Sequence, residues 1–201
     1  MEQSVFFKSE GLSLEALLSR ESGDRAVVVT HPHPLYGGEM HNPVVETTAQ
    51  AYQKTGYATL RFNFRGVGKS RGSYDDGKGE GQDVLAALSY LSDMGFKKID
   101  LAGYSFGAWV NAHVSPNAAG YDRMVMVSPP VAFMDFSRVS ALPRLTLVVA
   151  GGRDDIGPPD IIRQALSGWN PTARFEIIPE TDHFYSGALD VLEGVLTKAL
   201  T

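Results

Sequence analysis

The sequence predicts an α/β fold with a doubly wound, mostly parallel sheet, an antiparallel hairpin at the N-terminal end of the chain and no cap domain. Short apolar segments alternate with amphipathic helical segments through most of the chain, which is typical of right-handed βαβ units. The first two strand-like segments, 4–8 and 12–18, are separated only by the turn Glu10-Gly11, which favours a hairpin at a sheet edge. In such sheets the functional crevice lies at the carboxyl ends of the strands.

The first half of the chain alternates strands with two helices. Residues 25–30 form a continuous apolar run, as expected of a strand buried on both faces of a parallel sheet, and residues 57–64 predict a second such strand. Between them, Asn42 offers an N-cap ahead of a proline in the first helical position, and the helix stops at Gly56. After a glycine-rich connection and a polar stretch to Gly81, an apolar stripe predicts the next helix: Val84, Leu85, Leu88 and Leu91.

The second half continues the alternation. A strand that begins at Ile99 runs through a sharp corner directly into a helix. A helix is predicted over 158–166, with proline near its start and apolar residues on one face. The same periodicity predicts a terminal helix over 189–199. The segment 129–142 is too short for more than a loop with one helical turn, so we expect an open site. Three further apolar strands are predicted, at 123–127, 145–150 and 173–178.

Composition limits the class of protein. A chain of 201 residues, 43% of them hydrophobic, suits one globular domain, which we place at 1–201. The net charge of −5 argues against a nucleic-acid partner, which would require a basic surface. The N-terminal segment lacks signal-peptide features and no apolar run approaches the roughly 20 residues that span a bilayer, which predicts a cytoplasmic protein without membrane insertion. The chain has no cysteine, so thiolate chemistry is excluded; its oligomeric state stays open.

The corner at 103–107 reads Gly-Tyr-Ser-Phe-Gly, an instance of the pattern G-x-S-x-G. A residue at the apex of a sharp strand-to-helix turn has a strained backbone, so it needs small neighbours two positions away on each side, and Gly103 and Gly107 supply them. The turn presents the Ser105 hydroxyl above the sheet edge, and the N-terminus of the next helix directs backbone N–H groups at the same place. This layout predicts a serine nucleophile with half of an oxyanion hole.

The corner resembles the nucleophile elbow of the α/β-hydrolase family. Two other segments, His-Pro-His-Pro-Leu-Tyr-Gly-Gly at 31–38 and Arg-Phe-Asn-Phe-Arg-Gly-Val-Gly at 61–68, are similar to those of its small lidless bacterial members, which are mostly known as predicted hydrolases with esterase-like activity. The resemblance covers nearly the whole chain. It implies a serine hydrolase but little about the substrate. We expect a small-molecule acyl substrate, and no cofactor or metal enters the expected reaction.

A serine hydroxyl is a poor nucleophile near neutral pH and needs a base, which in turn needs an orienting carboxylate. The family's chain order of Ser, Asp and His selects His183, in the loop between the last strand and the last helix, as the base. Asp154 is the predicted acid because its place after the penultimate strand resembles the family's pattern in that loop. The neighbouring Asp155 is the alternative, and Asp182, beside the histidine, is a further rival.

The reaction also needs N–H donors for the developing oxyanion. The amide of Phe106, next to the serine, is the first. The second is expected from the loop after the 25–30 strand, where two prolines lack an N–H. We assign it to the His33 amide, with the amides of Leu35 or Tyr36, or the Tyr36 hydroxyl, as alternatives. The substrate pocket is expected to be bordered by Tyr36, Tyr104, Phe133, Met134 and Phe136.

The expected reaction is hydrolysis of a carboxylic ester or thioester through an acyl-enzyme on Ser105. Two alternatives stay open: an acyltransferase or an amidase or peptidase with the same triad, and a non-catalytic binding module that retains the elbow as scaffold. Other patterns carry less weight. Gly68-Lys69-Ser70 lacks the upstream glycine of a phosphate-binding loop, and His31, His33 and His41 lack the spacing of convergent zinc ligands.

Overall fold

The fold is seen in a computed structural model that describes residues 1–114 and 120–201. In those ranges its strands are β1 (Glu2–Ser9), β2 (Leu12–Ser19), β3 (Arg25–Thr30), β4 (Ala58–Phe62), β5 (Lys98–Tyr104), β6 (Arg123–Val127), β7 (Leu145–Gly151) and β8 (Arg174–Ile178). They form one sheet in the order β1-β2-β4-β3-β5-β6-β7-β8. The pairs β1–β2 and β2–β4 are antiparallel, and all the other neighbours pair in parallel. The predicted hairpin at one edge of a mostly parallel sheet is therefore confirmed.

Helices cover both faces of this sheet. The apolar side chains of the first and last helices pack on one face, and those of the other three pack on the opposite face. The α-helices of the described residues are α1 (Pro43–Lys54), α2 (Lys78–Asp93), α3 (Phe106–His113), α4 (Pro159–Trp169) and α5 (Leu189–Leu200). Layers of helices on both faces confirm the predicted doubly wound architecture.

Several boundaries differ from the prediction by a few residues, and side-chain hydrogen bonds explain two of them. Helix α2 begins at Lys78, ahead of Gly81, because the Glu80 carboxylate accepts hydrogen bonds from the backbone N–H groups of Asp75 (3.0 Å) and Gly77 (2.8 Å) and so caps the first turn. Strand β4 ends at Phe62 rather than residue 64. The N–H of Phe64 donates to the His31 ring at 3.0 Å instead of to a neighbouring strand.

The segment 129–142 between β6 and β7 carries no cap domain. It makes one helical turn, in which the carbonyl of Pro130 accepts from the N–H groups of Phe133 and Met134 at 3.0 and 2.9 Å. Three hydrogen bonds anchor it to the body of the protein. The Ala132 N–H donates to the Ile156 carbonyl, the Trp109 indole donates to the Asp135 carbonyl, and the Leu142 N–H donates to the Trp169 carbonyl. The carboxyl ends of the parallel strands therefore stay uncovered. Among the described residues, none of the helices is long and apolar enough to cross a membrane.

Candidate active site

Ser105 lies at the apex of the turn from β5 into α3, with a positive φ of 53°. For a residue with a side chain this conformation is strained, and the surrounding packing must hold it in place. A β-carbon at position 103 would lie 2.5 Å from the Asn111 amide, and one at 107 would lie 2.5 Å from the Thr30 hydroxyl. Only glycine fits at either position, so the two glycines allow the turn to close under the serine.

The structure brings Ser105, His183 and Asp154 together from three different loops. The Ser105 Oγ lies 2.9 Å from His183 Nε2, and His183 Nδ1 lies 2.9 Å from both carboxylate oxygens of Asp154. The exposed fractions of the three residues are 9%, 5% and 2%, in the same order. A neutral imidazole in this arrangement donates Nδ1–H to the carboxylate and accepts from the serine hydroxyl, which is the arrangement that activates a serine.

The two rival carboxylates lie elsewhere. Asp155 is exposed to solvent. Asp182 accepts from the backbone N–H groups of Phe184 (3.0 Å) and Ser186 (3.1 Å), so it stabilises the turn of its own loop. Of the three candidate acids, only Asp154 is hydrogen-bonded to the His183 ring.

Hydrogen bonds keep the Asp154 carboxylate charged although it is buried. Burial by itself would raise the pKa of Asp154, but hydrogen bonds from the His183 ring and from the Gly157 N–H outweigh it and hold the pKa below its ordinary value. The Gly157 and Ile156 N–H groups donate to its Oδ1 at 2.6 and 2.9 Å. The carboxylate is therefore ionised and fixed in orientation at neutral pH.

The loops that carry the acid and the base touch through their backbones. A β-carbon at Gly151, at the end of β7, would lie 2.3 Å from the Thr181 carbonyl. The Tyr104 hydroxyl donates to the His183 carbonyl at 3.0 Å, which ties the histidine loop to the end of β5. The Arg153 N–H also donates to the Thr181 carbonyl at 2.8 Å, so close packing and these bonds hold the histidine loop in place beside the loop of the acid.

Of the three backbone amides considered for the second oxyanion donor, only that of His33 makes no hydrogen bond to another described residue. The Leu35 N–H donates to the His33 Nδ1 at 3.2 Å, and the Tyr36 N–H donates to the His33 carbonyl at 3.1 Å, so both alternative amides are already engaged. The side chain of Tyr36 is 88% exposed at the cavity rim. Phe106 begins α3, where backbone N–H groups have no partner within the helix. The His33 and Phe106 residues both border the cavity at Ser105.

A cavity of about 540 Å³ opens over Ser105. Among the described residues that border it, none is an aspartate, glutamate, lysine or arginine. Of the residues expected to line the substrate pocket, Tyr36, Tyr104, Phe133 and Met134 border this cavity. Phe136 does not: its ring packs against Trp169 with centroids 5.0 Å apart, so the pocket assignment of Phe136 is wrong. The full lining is Pro32, His33, Tyr36, Gly37, Gly38, Asn42, Tyr104, Ser105, Phe106, Pro130, Phe133, Met134, Ile156, His183 and Phe184.

Each of the three histidines in the N-terminal half has different interaction partners. The buried His31 ring donates from Nδ1 to the Pro32 carbonyl at 2.7 Å and accepts at Nε2 from the Phe64 N–H, and burial lowers its pKa to about 4. His33 lies 3.2 Å from the Tyr74 hydroxyl, and His41 lies 3.4 Å from Glu46. The described part of the chain contains no cluster of three side chains of the metal-binding types.

The sequence analysis missed two hydroxyl groups behind the acid. Ser128 directly follows β6, and its Oγ lies 2.9 Å from the Tyr185 hydroxyl. Both residues are fully buried. A polar residue directly after a buried strand, at the edge where the site lies, is the signal that would have indicated Ser128.

A doubly wound sheet with a serine elbow at the carboxyl edge defines the α/β-hydrolase class of fold. Comparison with known proteins agrees. An α/β serine hydrolase homologue from Coxiella burnetii is 33% identical, over 99% of this chain and 97% of that one, with a TM-score of 0.92. An α/β serine hydrolase without a lid from Xanthomonas campestris is 30% identical, over 99% and 93%, with a TM-score of 0.90.

A curated relative, the uncharacterized protein RP471 of Rickettsia prowazekii, is 32% identical over 193 residues, which cover 90% of this chain and 81% of the relative. No family model matches the chain. At these identities and coverages, the chain belongs to the α/β-hydrolase superfamily, in the group of small serine hydrolases without a lid.

Proposed function

We propose that this protein is a hydrolase of carboxylic esters or thioesters that works through an acyl-enzyme on Ser105. The observation that carries the proposal is the relay from the Ser105 hydroxyl through His183 to Asp154, with 2.9 Å at each contact, at the floor of an open cavity. In this mechanism His183 takes the serine proton during attack on the carbonyl and then delivers it to the leaving alcohol or thiol. Asp154 orients the imidazole and stabilises the imidazolium that forms.

The Phe106 and His33 amides are the proposed oxyanion donors. Donors fixed before the reaction stabilise the tetrahedral intermediate without reorganisation. The engaged amides of Leu35 and Tyr36 support His33 over its neighbours. The prolines on either side of His33 limit the backbone freedom of this loop, as a preorganised site requires.

Water is the proposed second substrate. The segment 129–142 leaves the cavity uncovered, so water reaches the acyl-enzyme directly. The uncharged cavity wall suits a neutral acyl group. We assign the activity to one domain, 1–201; its cytoplasmic location stays a prediction from the sequence.

Replacement of the nucleophile tests the proposal. Ser105→Ala is expected to lower turnover of an activated short-chain ester by roughly 10³-fold or more, because the remaining site supplies binding and oxyanion stabilisation only. Ser73→Ala, which changes an exposed serine, is the control and should keep the wild-type rate. An unchanged rate in Ser105→Ala would exclude an acyl-enzyme on this residue.

Two further measurements separate the alternatives. Product analysis with competing alcohol, thiol and amine nucleophiles distinguishes a hydrolase from an acyltransferase, and amide substrates test amidase activity. A serine-directed fluorophosphonate should label wild-type protein and should not label His183→Ala, because the hydroxyl then has no base. Failure to label the wild-type protein would favour a binding module.

A further inference from the structure

The side chain of His33 holds the turn that follows it in the chain. Its Nδ1 accepts from the Leu35 N–H at 3.2 Å and so caps a single 3₁₀ turn, Pro34–Tyr36. The His33 carbonyl accepts from the Gly38 N–H at 3.0 Å, and a β-carbon at Gly38 would clash with the Pro32 carbonyl. The turn is thus packed closely against its own start. These contacts fix the backbone beside the His33 amide, the proposed second oxyanion donor.

The hydrogen bonds of the His33 ring select one form of the imidazole. A backbone N–H can only donate, so Nδ1 carries the lone pair and the proton of the neutral ring is on Nε2. Nε2 lies 3.2 Å from the Tyr74 hydroxyl, which therefore accepts from it. Burial lowers the pKa of His33 below its ordinary value, although the Asp76 carboxylate opposes the shift, so the ring is neutral at neutral pH. The ring thus links its own turn to Tyr74, on the connection between β4 and α2.

Tyr74 contacts both residues whose amides are the proposed oxyanion donors. Its ring centroid lies 5.1 Å from that of His33 and 5.9 Å from that of Phe106, and the His33 and Phe106 rings are 4.7 Å apart. The three rings form one cluster between the turn after β3 and the start of α3. Tyr74 is not among the residues that border the cavity. Any effect of Tyr74 on the reaction therefore passes through His33 and Phe106.

We propose that Tyr74 and the His33 ring are positioning residues that set the place of the two oxyanion donors, the backbone amides of His33 and Phe106. This proposal rests on the proposed function. The donors are aimed at the oxyanion and not at the ground-state carbonyl, and a misplacement of about 1 Å can cost about 10²-fold in rate. The ring cluster therefore acts on kcat and leaves KM nearly unchanged.

A second cap in the chain has the same geometry and suggests a conservative variant. The Asn42 side chain accepts from the Val44 N–H, two residues further on, at 3.0 Å. In both caps a proline stands between the acceptor residue and the donor residue. The backbone angles φ and ψ are −59° and 122° at His33, and −55° and 134° at Asn42. His33→Asn is therefore expected to keep the cap while it removes the ring.

Four variants separate the hydroxyl, the rings and the cap. Tyr74→Phe removes the hydrogen bond to Nε2 and should lower kcat about threefold to fivefold, as for one lost neutral hydrogen bond. Tyr74→Ala and His33→Ala remove a ring of the cluster and should each lower kcat about 10²-fold, although both keep the backbone amides themselves. His33→Asn should be about fivefold more active than His33→Ala, because it restores the cap. In all four, KM for an activated ester should stay within about twofold of wild type.

Tyr57→Phe is the matched control. Tyr57 is also a buried tyrosine, its hydroxyl accepts from the Arg123 guanidinium, and it does not border the cavity. This variant should lower the melting temperature and leave kcat unchanged. A loss of kcat in Tyr57→Phe equal to that in Tyr74→Phe would assign the Tyr74 hydroxyl a role in stability only and would overturn its part in the proposal.

Fluorophosphonate labelling of Ser105 tests the cluster without an ester substrate. The reagent also places negative charge on an oxygen as the serine attacks, so the labelling rate should fall in the same order as kcat. A wild-type labelling rate in both Tyr74→Ala and His33→Ala would overturn the proposal, and so would a rise in KM with kcat unchanged. A wild-type protein that is not labelled would instead remove the proposed function, and this proposal with it, so the two failures are distinguishable.

Discussion

The two halves of the site differ in how they are held. Ser105, His183 and Asp154 are each at least nine-tenths buried, and each makes hydrogen bonds that fix its orientation. The cavity rim is the opposite: Tyr36, Phe133 and Phe184 are 88%, 75% and 64% exposed. The groups proposed to make and break bonds are rigid, and those that would meet the substrate are open to solvent. We therefore expect damage to the buried half to lower kcat and damage to the rim to raise KM.

The largest effect should come from the acid. Asp154→Asn keeps the shape of the side chain but removes the charge and favours the wrong tautomer of His183, so kcat should fall by about 10³-fold or more. Steady-state kinetics with an activated ester measures it. Asp155→Asn, the exposed neighbour, should keep the wild-type kcat; equal losses in the two variants would remove the distinction between buried and exposed carboxylates.

A buried histidine outside the triad, His31, should make the stability of the fold depend on pH. His31 is fully buried and neutral, with a pKa of about 4 in the folded protein against about 6.5 in the unfolded chain. As the pH falls, the unfolded chain takes up the proton first, so stability is lost from about pH 6.5 down to about pH 4, by up to about 3 kcal/mol. Urea denaturation at several pH values measures this loss.

The His31 prediction has an internal control. His31→Gln should flatten the dependence of unfolding free energy on pH over this window, because the titrating group is gone. Thr48→Ala removes a different buried hydrogen bond, from the Thr48 hydroxyl to the Val44 carbonyl, and should lower stability while the pH dependence stays as in the wild type. The same dependence in His31→Gln as in the wild type would contradict the assignment.

The smallest effect is expected at the rim. Phe133→Ala removes an exposed ring that packs little in the free protein, so KM for an apolar ester should rise about threefold to tenfold while kcat and the melting temperature stay near wild type. Phe136→Ala is the reverse case: it should lower the melting temperature through lost packing on Trp169 and leave KM unchanged. A fall in kcat for Phe133→Ala would show that the two halves are coupled.

Most of the fold follows from local patterns. Apolar strands flanked by glycine and proline, and helices with one apolar face, predict every strand of the sheet and its two covered faces. The ends of elements are harder because they depend on individual side-chain hydrogen bonds. Glu80 caps α2 from within the first turn of that helix. The ring of His31 comes from a distant segment and takes the hydrogen bond that would continue β4, so that contact is not visible in the local sequence.

The candidate site also has a part that the sequence predicts and a part that it does not. A serine elbow and a histidine loop have chemical requirements that restrict the residue types, so Ser105, Asp154 and His183 could be named from chain order and spacing. The pocket could not be predicted as well. Phe133 and Phe136 are alike in type and close in sequence, yet one borders the cavity and the other packs on Trp169. The long-range bonds from Ala132 to Ile156 and from Trp109 to Asp135 fix how this segment lies on the protein, and such tertiary contacts are not readable from the local sequence.

The anchors of the segment 129–142 also bear on redesign of this scaffold. The bonds at Ala132 and Asp135 precede residue 138 and the bond at Leu142 follows residue 140, while Arg138 and Ser140 between them are exposed. An additional domain inserted between Arg138 and Ser140 would leave these anchors and the loops of Ser105, Asp154 and His183 in place. The molecule thus offers an insertion point at which selectivity could be rebuilt over the proposed active site.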